Sequence, residues 1–376
     1  MTVSAQRAGF AASALGMLAA CALPLTNGSA PGVLARPALL AVLVAAGILF
    51  AGAAFLNPRF SLASGFAGVG LGCAATVALL RDANVAGNAA WGFWLPVGAT
   101  WLAAALCITT LAGVRPRHKA IGRAVNLAVP LLFGAFVFYL WEIVVRGFGV
   151  PPVLLPAPST IAARFLDSLW TLWLDFFQTF ALGVLSGYAI GCGAGFLVAI
   201  LANRFTFFGQ GLLPIGNFVS ALPIVGVAPI MVMWFGFDWP SKAAVVAIIT
   251  FFPMLVNALA GLGAAGHVER DLMRSYGAPY WATMRKLYLP VAMPFVFNAL
   301  KINSTLALIG AIVAEFFGSP TVGLGFRIST EAGRMNIVVV WAAIAVAAGV
   351  GSAFYGLLAL LERKSAFWHP SFRRVA

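Results

Sequence analysis

Four ionisable side chains stand in or at the ends of long apolar stretches, where burial in lipid is costly: Glu142, Asp175, Lys301 and Glu315. Such residues mark either a solute pathway or an internal ion pair, and pairing is the commoner use. Glu142 lies four residues before Arg146, which predicts an i, i+4 pair at a membrane surface. Lys301 could extend toward the nearest membrane surface. Asp175, at the start of its stretch, is expected to be a solvated helix end.

Glu315 is the best candidate for an outer gate or a structural ion pair. It ends an apolar stretch directly before Phe316-Phe317-Gly318, and Arg327 and Arg334 follow as candidate partners. Direct contact of any of these charges with a solute is the less favoured alternative, because structural pairing is more frequent.

Enzyme chemistry has no visible basis in the sequence. The three histidines, His118, His267 and His369, are far apart, and HExxH, GxSxG, CxxC and the GxxxxGK[ST] phosphate loop are all missing. The four cysteines lie in apolar segments without metal-ligand spacing. We therefore expect no enzyme, no metal and no bound cofactor. If ATP drives this protein, another chain must hydrolyse it.

The amino-acid composition distinguishes a membrane protein from a soluble one. The chain is 62% hydrophobic and 9% charged, with a mean hydropathy of +0.99, whereas soluble domains have about 25% charged residues. The net charge of +13 comes from short basic clusters between apolar runs. This pattern favours orientation in a bilayer over nucleic-acid binding. The sequence thus predicts a multi-pass membrane protein.

Ten apolar stretches approach the roughly 20 residues that cross a bilayer as a helix. They lie near 8–25, 38–56, 60–80, 91–113, 124–146, 172–202, 210–235, 242–263, 290–315 and 336–361. The expected fold is therefore an all-α integral membrane protein with about ten spans. The first stretch also resembles a signal peptide, although further spans follow it at once.

Basic residues set the expected orientation. With the N-terminus inside, fifteen of the 23 basic residues fall in inside segments and seven in outside segments, as the positive-inside rule requires. Both termini and the segment 267–290 are then cytoplasmic. The basic linker 115–123 predicts a boundary between a four-span extension, 1–117, and a six-span core, 118–376. A partner platform, a stability belt and an insertion aid remain open as roles for the extension.

Two spans carry helix-modifying residues. Glycines recur at four-residue intervals at positions 183, 187, 191 and 195, which predicts close helix packing within the subunit, with a dimer seam as the alternative. The span 210–235 contains Pro214, Pro223 and Pro229, which predict a broken helix. That break indicates pathway lining and a purely structural kink equally well.

Before these spans, Ser159 is expected to cap a short helix reaching about Trp170.

The polar segment 267–290, HVERDLMRSYGAPYWATMRKLYLP, separates two of the predicted spans. Its composition predicts a short helix, a break at Gly277-Ala278-Pro279 and a second helix that enters the membrane. A structureless connector would be shorter and richer in Gly, Ser, Asn or Pro. A docking surface is therefore favoured over a plain connector.

This segment resembles the EAA loop of ABC-importer permeases. In that loop, Glu-Ala-Ala is followed by three residues, Gly, nine residues, Ile, one residue and Leu-Pro. The matching positions are Asp271-Leu272-Met273, Gly277, Leu287 and Leu289-Pro290; larger residues replace the two alanines. Further motifs resemble the nitrate, sulfonate and taurine branch, which includes importers of pyrimidine precursors and riboflavin. They are Leu140-Trp141-Glu142, Leu155-Pro156-Ala157-Pro158-Ser159, Ile312-Val313-Ala314-Glu315-Phe316-Phe317-Gly318 and Gly323-Leu324-Gly325.

The resemblance implies a homodimer in the bacterial cytoplasmic membrane. The dimer would bind cytoplasmic ATPase subunits and receive a small solute from a periplasmic binding protein. ATP and Mg²⁺ would be bound by the ATPase subunits. The docking loop would span 263–290, with Leu272, Met273 and Tyr276 in a groove of the ATPase and Asp271 and Arg274 at its rim. A sulfonate-like or nitrate-like anion and an aromatic vitamin or pyrimidine precursor are the candidate solutes. A stand-alone carrier or channel is the alternative, and a membrane enzyme is remote.

Overall fold

The computed structural model describes residues 3–27, 32–55, 58–82, 84–114, 118–205, 211, 223–319 and 321–368. Throughout these ranges the chain is helical apart from turns, loops and one isolated bridge between Thr26 and Ala89. This confirms the predicted all-α fold class. The chain forms two compact units, Met1–Ile161 and Ala162–Ala376.

The first unit contains five long helices. They are α1 (Val3–Cys21), α2 (Pro37–Phe55), α3 (Pro58–Leu79), α4 (Trp91–Gly113) and α5 (Lys119–Gly147), with a short 3-10 turn at Val33–Ala35. The first four pack around a core that includes Phe10, Met17, Phe50 and Phe93, all fully buried. In contrast, α5 is largely exposed within the chain. Arg36 pairs with Asp82 at one end of the bundle. Hydrogen bonds from the Asn84 backbone and from Arg36 lower the pKa of the Asp82 carboxyl.

The second unit begins within α6 (Pro158–Asp167), a short helix that the unit boundary divides. The helices that follow are α7 (Leu169–Phe176), a π-helical turn (Phe177–Val184), α8 (Leu185–Arg204), α9 (Ile224–Phe235), α10 (Trp239–Gly263), α11 (His267–Ser275), α12 (Tyr280–Thr283), a second π-helical turn (Met284–Tyr288), α13 (Leu289–Phe317), α14 (Leu324–Gly333) and α15 (Ile337–Ser365). Helices α8 and α13 both pack along α10 and form the centre of this unit.

Eight helices of the described residues are long and apolar enough to cross a bilayer. They correspond to eight of the ten predicted spans. The predicted first span corresponds to α1, which has 19 residues but includes Gln6 and Arg7. The predicted span 210–235 corresponds to the 12-residue helix α9, and residues 212–222, including Pro214, lie outside the described residues.

The glycine stripe of α8 packs against α10. A Cβ atom at Gly187, Gly191 or Gly195 would fall less than 3.0 Å from a backbone carbonyl oxygen of α10. Such contact is available only when no side chain separates the two backbones. The predicted role in close packing within one subunit is therefore confirmed.

The loop that follows α5 corrects one prediction. Ser159 does not begin a helix that reaches Trp170, because α6 begins at Pro158 and ends at Asp167. Its backbone N–H and its hydroxyl both donate to Glu142, at 2.9 and 2.7 Å. Ser159 thus anchors the first turn of α6 to α5 instead of capping a helix.

Met335, in the turn between α14 and α15, has a left-handed backbone with φ of +59°. The Met335 N–H donates to the Ala332 carbonyl at 3.0 Å, and the Asn336 N–H donates to the Glu331 carbonyl at 2.9 Å. This is the Schellman pattern, in which glycine normally occupies the left-handed position. A side chain there costs roughly 1–2 kcal/mol.

Met335→Gly is therefore expected to stabilise the protein by about 1 kcal/mol, measured by unfolding in mixed detergent micelles. Ala332→Gly, in the last turn of α14, is the matched control. It should destabilise by about 0.5–1 kcal/mol, because glycine is unfavourable within a helix. If the two variants change the free energy of unfolding in the same direction, the assignment of strain to Met335 is contradicted.

Candidate functional site

The polar segment 267–290 folds as the predicted helix, break and second helix. Helix α11 ends at Ser275, α12 begins at Tyr280, and the chain passes through a π-helical turn into α13 at Leu289. The segment therefore connects α10 to α13, two helices of the centre of the second unit. Leu287, in the π-helical turn, and Leu289 and Pro290, at the start of α13, are half-buried.

Gly277 forms the break through a second Schellman motif. Its N–H donates to the Arg274 carbonyl at 2.9 Å, and the Ala278 N–H donates to the Met273 carbonyl at 3.0 Å. The φ angle of Gly277 is +64°, and a Cβ atom there would meet nothing within 4 Å. The requirement for glycine thus comes from the backbone conformation alone.

An exposed apolar stripe runs along α11. Val268, Leu272 and Tyr276 follow one another at four-residue intervals on the same face of the helix, and they are 66%, 54% and 80% exposed. Arg270 and Arg274 lie on the opposite face. No residue of α11 is buried, so the described part of the chain leaves the stripe uncovered.

The predicted docking residues do not all belong to this stripe. Leu272 and Tyr276 do, whereas Met273 is half-buried and accepts the Ala278 N–H through its carbonyl. Asp271 and Arg274 pair at 3.5 Å, with both side chains mostly exposed, and such pairs contribute little. Sequence reasoning missed Val268, although its four-residue spacing from Leu272 and Tyr276 was a usable signal.

A buried polar cluster lies at the opposite end of the same central helices, where α10 begins and α13 ends. Asp175, which is fully buried, accepts hydrogen bonds from Arg327 Nε at 2.8 Å and Nη2 at 3.3 Å, and from the Gly323 N–H at 2.9 Å. Glu315 accepts from the Thr179 hydroxyl at 2.9 Å. We call Asp175, Thr179, Glu315 and Arg327 the carboxylate cluster.

The carboxylate cluster binds the start of α14. The first three N–H groups there, at Gly323, Leu324 and Gly325, donate to Asp175, Thr179 and Glu315, respectively. Helix starts carry N–H groups without intrahelical acceptors and a partial positive charge, so two carboxylates are well matched to them. The arrangement fixes α14 against α7 and α13, with no exposed nucleophile or acid–base pair.

Gly323 is required at this junction. Its φ is +139°, and a Cβ atom there would fall 2.6 Å from Glu315 Oε1. The motif Gly323-Leu324-Gly325 thus lets the α14 backbone approach the carboxylates directly.

These contacts correct two predictions. Asp175 is not a solvated helix end but a buried partner of Arg327. The predicted ion pair of Glu315 with Arg327 or Arg334 is wrong, because Arg327 pairs with Asp175 and Arg334 pairs with Glu331. Lys242, in the first turn of α10, is also buried, and its ammonium donates to the carbonyls of Phe237 and Asp238.

Lys301 has an acidic partner within the chain. Its ammonium pairs with Glu362 of α15 at 2.7 Å, and both side chains are mostly buried. The pair joins α13 to α15.

The predicted i, i+4 pair of Glu142 and Arg146 is confirmed at 2.5 Å. Arg146 also donates to the Ser159 hydroxyl at 2.7 Å. These contacts assign Glu142 an internal structural partner.

The two prolines suggested for a pathway lie at the start of α9 and within it. Pro223 directly precedes its first residue, and Pro229 lies inside it. Pro229 has no N–H, so the i, i−4 bond at that position is missing.

The described residues are helical, contain eight candidate membrane spans and place an exposed, hinged segment between two central helices, which are features of a membrane permease. Residues 187–366 match the family model described as "Binding-protein-dependent transport system inner membrane component". The chain belongs to this family of transport permeases, as its motifs predicted. In such a system, ATP hydrolysis belongs to a separate subunit.

Curated relatives support the branch. The riboflavin transport system permease protein of Chloroflexus aurantiacus is 30% identical over 264 residues, which are 69% of this chain and 97% of that protein. The formylaminopyrimidine transport permease protein of Halalkalibacterium halodurans is 32% identical over 208 residues, 54% and 81% of the two chains. A putative aliphatic sulfonates transport permease protein of Bacillus subtilis is 28% identical, covering 69% and 92%.

Proposed function

We propose that this chain is the permease subunit of an ATP-driven importer and that α11 is its docking helix for an ATPase subunit. The observation that carries this proposal is the exposed stripe of Val268, Leu272 and Tyr276 next to the left-handed Gly277. Short amphipathic helices bind partners by inserting such a stripe into an apolar groove. ATP and Mg²⁺ belong to the ATPase, since this sequence has no phosphate loop.

The assembly that we propose is a homodimer that receives its solute from a periplasmic binding protein. The excess of basic residues on one side supports an orientation with both termini and α11 in the cytoplasm. The carboxylate cluster would then lie near the periplasmic side. We further propose that residues 1–117 form an extension to a permease core of 118–376. The extent of the matched relatives supports this division, because the riboflavin permease is covered almost completely by 69% of this chain.

The proposed solute is a small organic anion such as a sulfonate, or an aromatic vitamin or pyrimidine precursor. The names of the relatives support both classes, since they include riboflavin, formylaminopyrimidine and sulfonate permeases. A stand-alone carrier or channel is less well supported, because it would leave the exposed stripe of α11 without a role.

Docking can be tested with surface variants of α11. Leu272→Glu and Tyr276→Ala are expected to reduce co-purification of the ATPase with the tagged permease at least about tenfold, because each removes a central apolar contact worth roughly 1.5–2 kcal/mol or more. The measurement is quantitative mass spectrometry of the complex captured from the native host in mild detergent. Both side chains are exposed, so the variants should fold and insert normally.

Arg270→Gln, on the opposite face of α11, is the matched control and should retain the ATPase. Deletion of 270–276 should remove the ATPase completely. Gly277→Val should weaken docking by straining the left-handed backbone, whereas Gly277→Asn should be tolerated. The docking proposal fails if the ATPase still co-purifies with the Leu272→Glu and deletion variants.

A further inference from the structure

Tyr280 connects the polar segment to the last turn of α8. Its hydroxyl lies 3.4 Å from the Ile200 carbonyl oxygen and 3.3 Å from Asn203 Oδ1. The Arg204 guanidinium lies over its ring, 4.8 Å from the centroid. One side chain thus contacts three residues of the same helical turn, 76 to 80 positions away in the sequence.

Each contact has a plain chemical basis. A backbone carbonyl has two lone pairs, so the Ile200 carbonyl can accept from the phenol hydroxyl in addition to its helical donor, and the Asn203 amide oxygen is a second acceptor. The hydroxyl has a single proton, so it donates to Ile200 or to Asn203 at any moment. The cation–π contact between Arg204 and the ring persists in either case.

The position of Tyr280 in the segment allows these contacts to transmit a displacement of α11 to α8. Within the described residues, the side chains of α11 form local hydrogen bonds: Arg270 donates to Gly266, and Ser275 and Arg274 donate to Asp271. Tyr280 begins α12, three residues beyond the left-handed Gly277. A displacement of α11 therefore reaches α8 directly through Tyr280, in addition to reaching α13 along the backbone.

Helix α8 can carry such a displacement further. Its glycine stripe brings its backbone into direct contact with the backbone of α10. No flexible side chains separate the two helices there, and packed interiors transmit displacement instead of absorbing it.

We propose that Tyr280 is a positioning residue that couples the docking helix α11 to α8, so that movement of a bound ATPase shifts α8 as well as α13. This inference rests on the proposed docking function. It adds a second mechanical connection, which docking itself does not require.

Hydrogen–deuterium exchange of the ATPase complex, with and without Mg-ATP and vanadate, tests the proposal. In the wild-type complex, the nucleotide should change amide exchange about fivefold or more both in α11–α12 and in the last turn of α8, 200–204. In the Tyr280→Ala variant, the nucleotide-dependent change of exchange in α11 should remain. The change in 200–204 should fall below about twofold, because the variant lacks both the cation–π contact with Arg204 and the hydrogen bond of the hydroxyl.

Milder variants separate coupling from folding. Tyr280→Phe keeps the ring over Arg204 and should retain part of the response, and Arg204→Lys should retain more of it than Arg204→Gln. A full response of 200–204 in Tyr280→Ala would overturn the proposal, as would a wild-type complex without any response there. Loss of the ATPase from Tyr280→Ala would make Tyr280 a docking residue and would also overturn it. Failure of the docking function is distinguishable, because the wild-type chain would then capture no ATPase.

Discussion

Replacing Asp175 with alanine is expected to destabilise the second unit by about 3–5 kcal/mol. The change removes both acceptors of the Arg327 guanidinium and the acceptor of the Gly323 N–H. It leaves a mostly buried cation without a carboxylate, and an uncompensated buried charge is among the largest single-residue penalties known. Unfolding in mixed detergent micelles measures the loss, and the start of α14 should lose protection from hydrogen exchange.

Arg334→Gln is the control for this result. Arg334 also pairs with a carboxylate in the same region, but its side chain is 69% exposed. An exposed pair contributes between 0 and about 1 kcal/mol, so this variant should stay close to the wild type. If Asp175→Ala and Arg334→Gln have equal effects, the carboxylate cluster does not fix α14 in the way that its contacts indicate.

Gly191→Leu is expected to be the most disruptive change in α8. The Cβ atom of any side chain at Gly191 would fall less than 3.0 Å from Ala247 and Thr250 of α10. The two backbones would have to separate, at a cost of about 3 kcal/mol or more for a large side chain. The measurements are the amount of folded protein in fluorescence-detected size-exclusion chromatography and the free energy of unfolding. Both should be lower than in the wild type.

Gly193→Leu provides a matched comparison two residues away. Gly193 is exposed, and a Cβ atom there meets nothing within 4 Å. Because leucine favours helix more than glycine does, this variant should be neutral or more stable by about 0.5–1 kcal/mol. A similar loss of stability in both variants would contradict the close contact of α8 with α10.

The family and most of the membrane helices could be predicted from local sequence. The length of an apolar run identifies a membrane span without knowledge of the neighbouring helices. Eight predicted spans therefore match described helices that are long enough to cross a bilayer. Gly277 could likewise be assigned to a turn from the residues around it. The glycine spacing of α8 predicted close packing, although it could not indicate that α10 is the partner.

The partners of the buried charges could not be predicted in the same way. Asp175 and Arg327 lie 152 positions apart, and several other basic residues were equally plausible partners for each acid. Only the packing of α7, α13 and α14 decides that Arg327 contacts Asp175 while Glu315 receives backbone N–H groups. Met335 illustrates a further limit, since nothing in its side chain signals a left-handed backbone.

The two buried ion pairs also affect how the membrane potential acts on this chain. Moving one unpaired charge across the full field is worth about 2.3 kcal/mol per 100 mV. Lys301 moves with Glu362, and Asp175 moves with Arg327, so each pair carries no net charge through the field. For these four side chains, a shift of α13, α14 or α15 is electrically silent. Voltage therefore gives these pairs no preferred direction of movement.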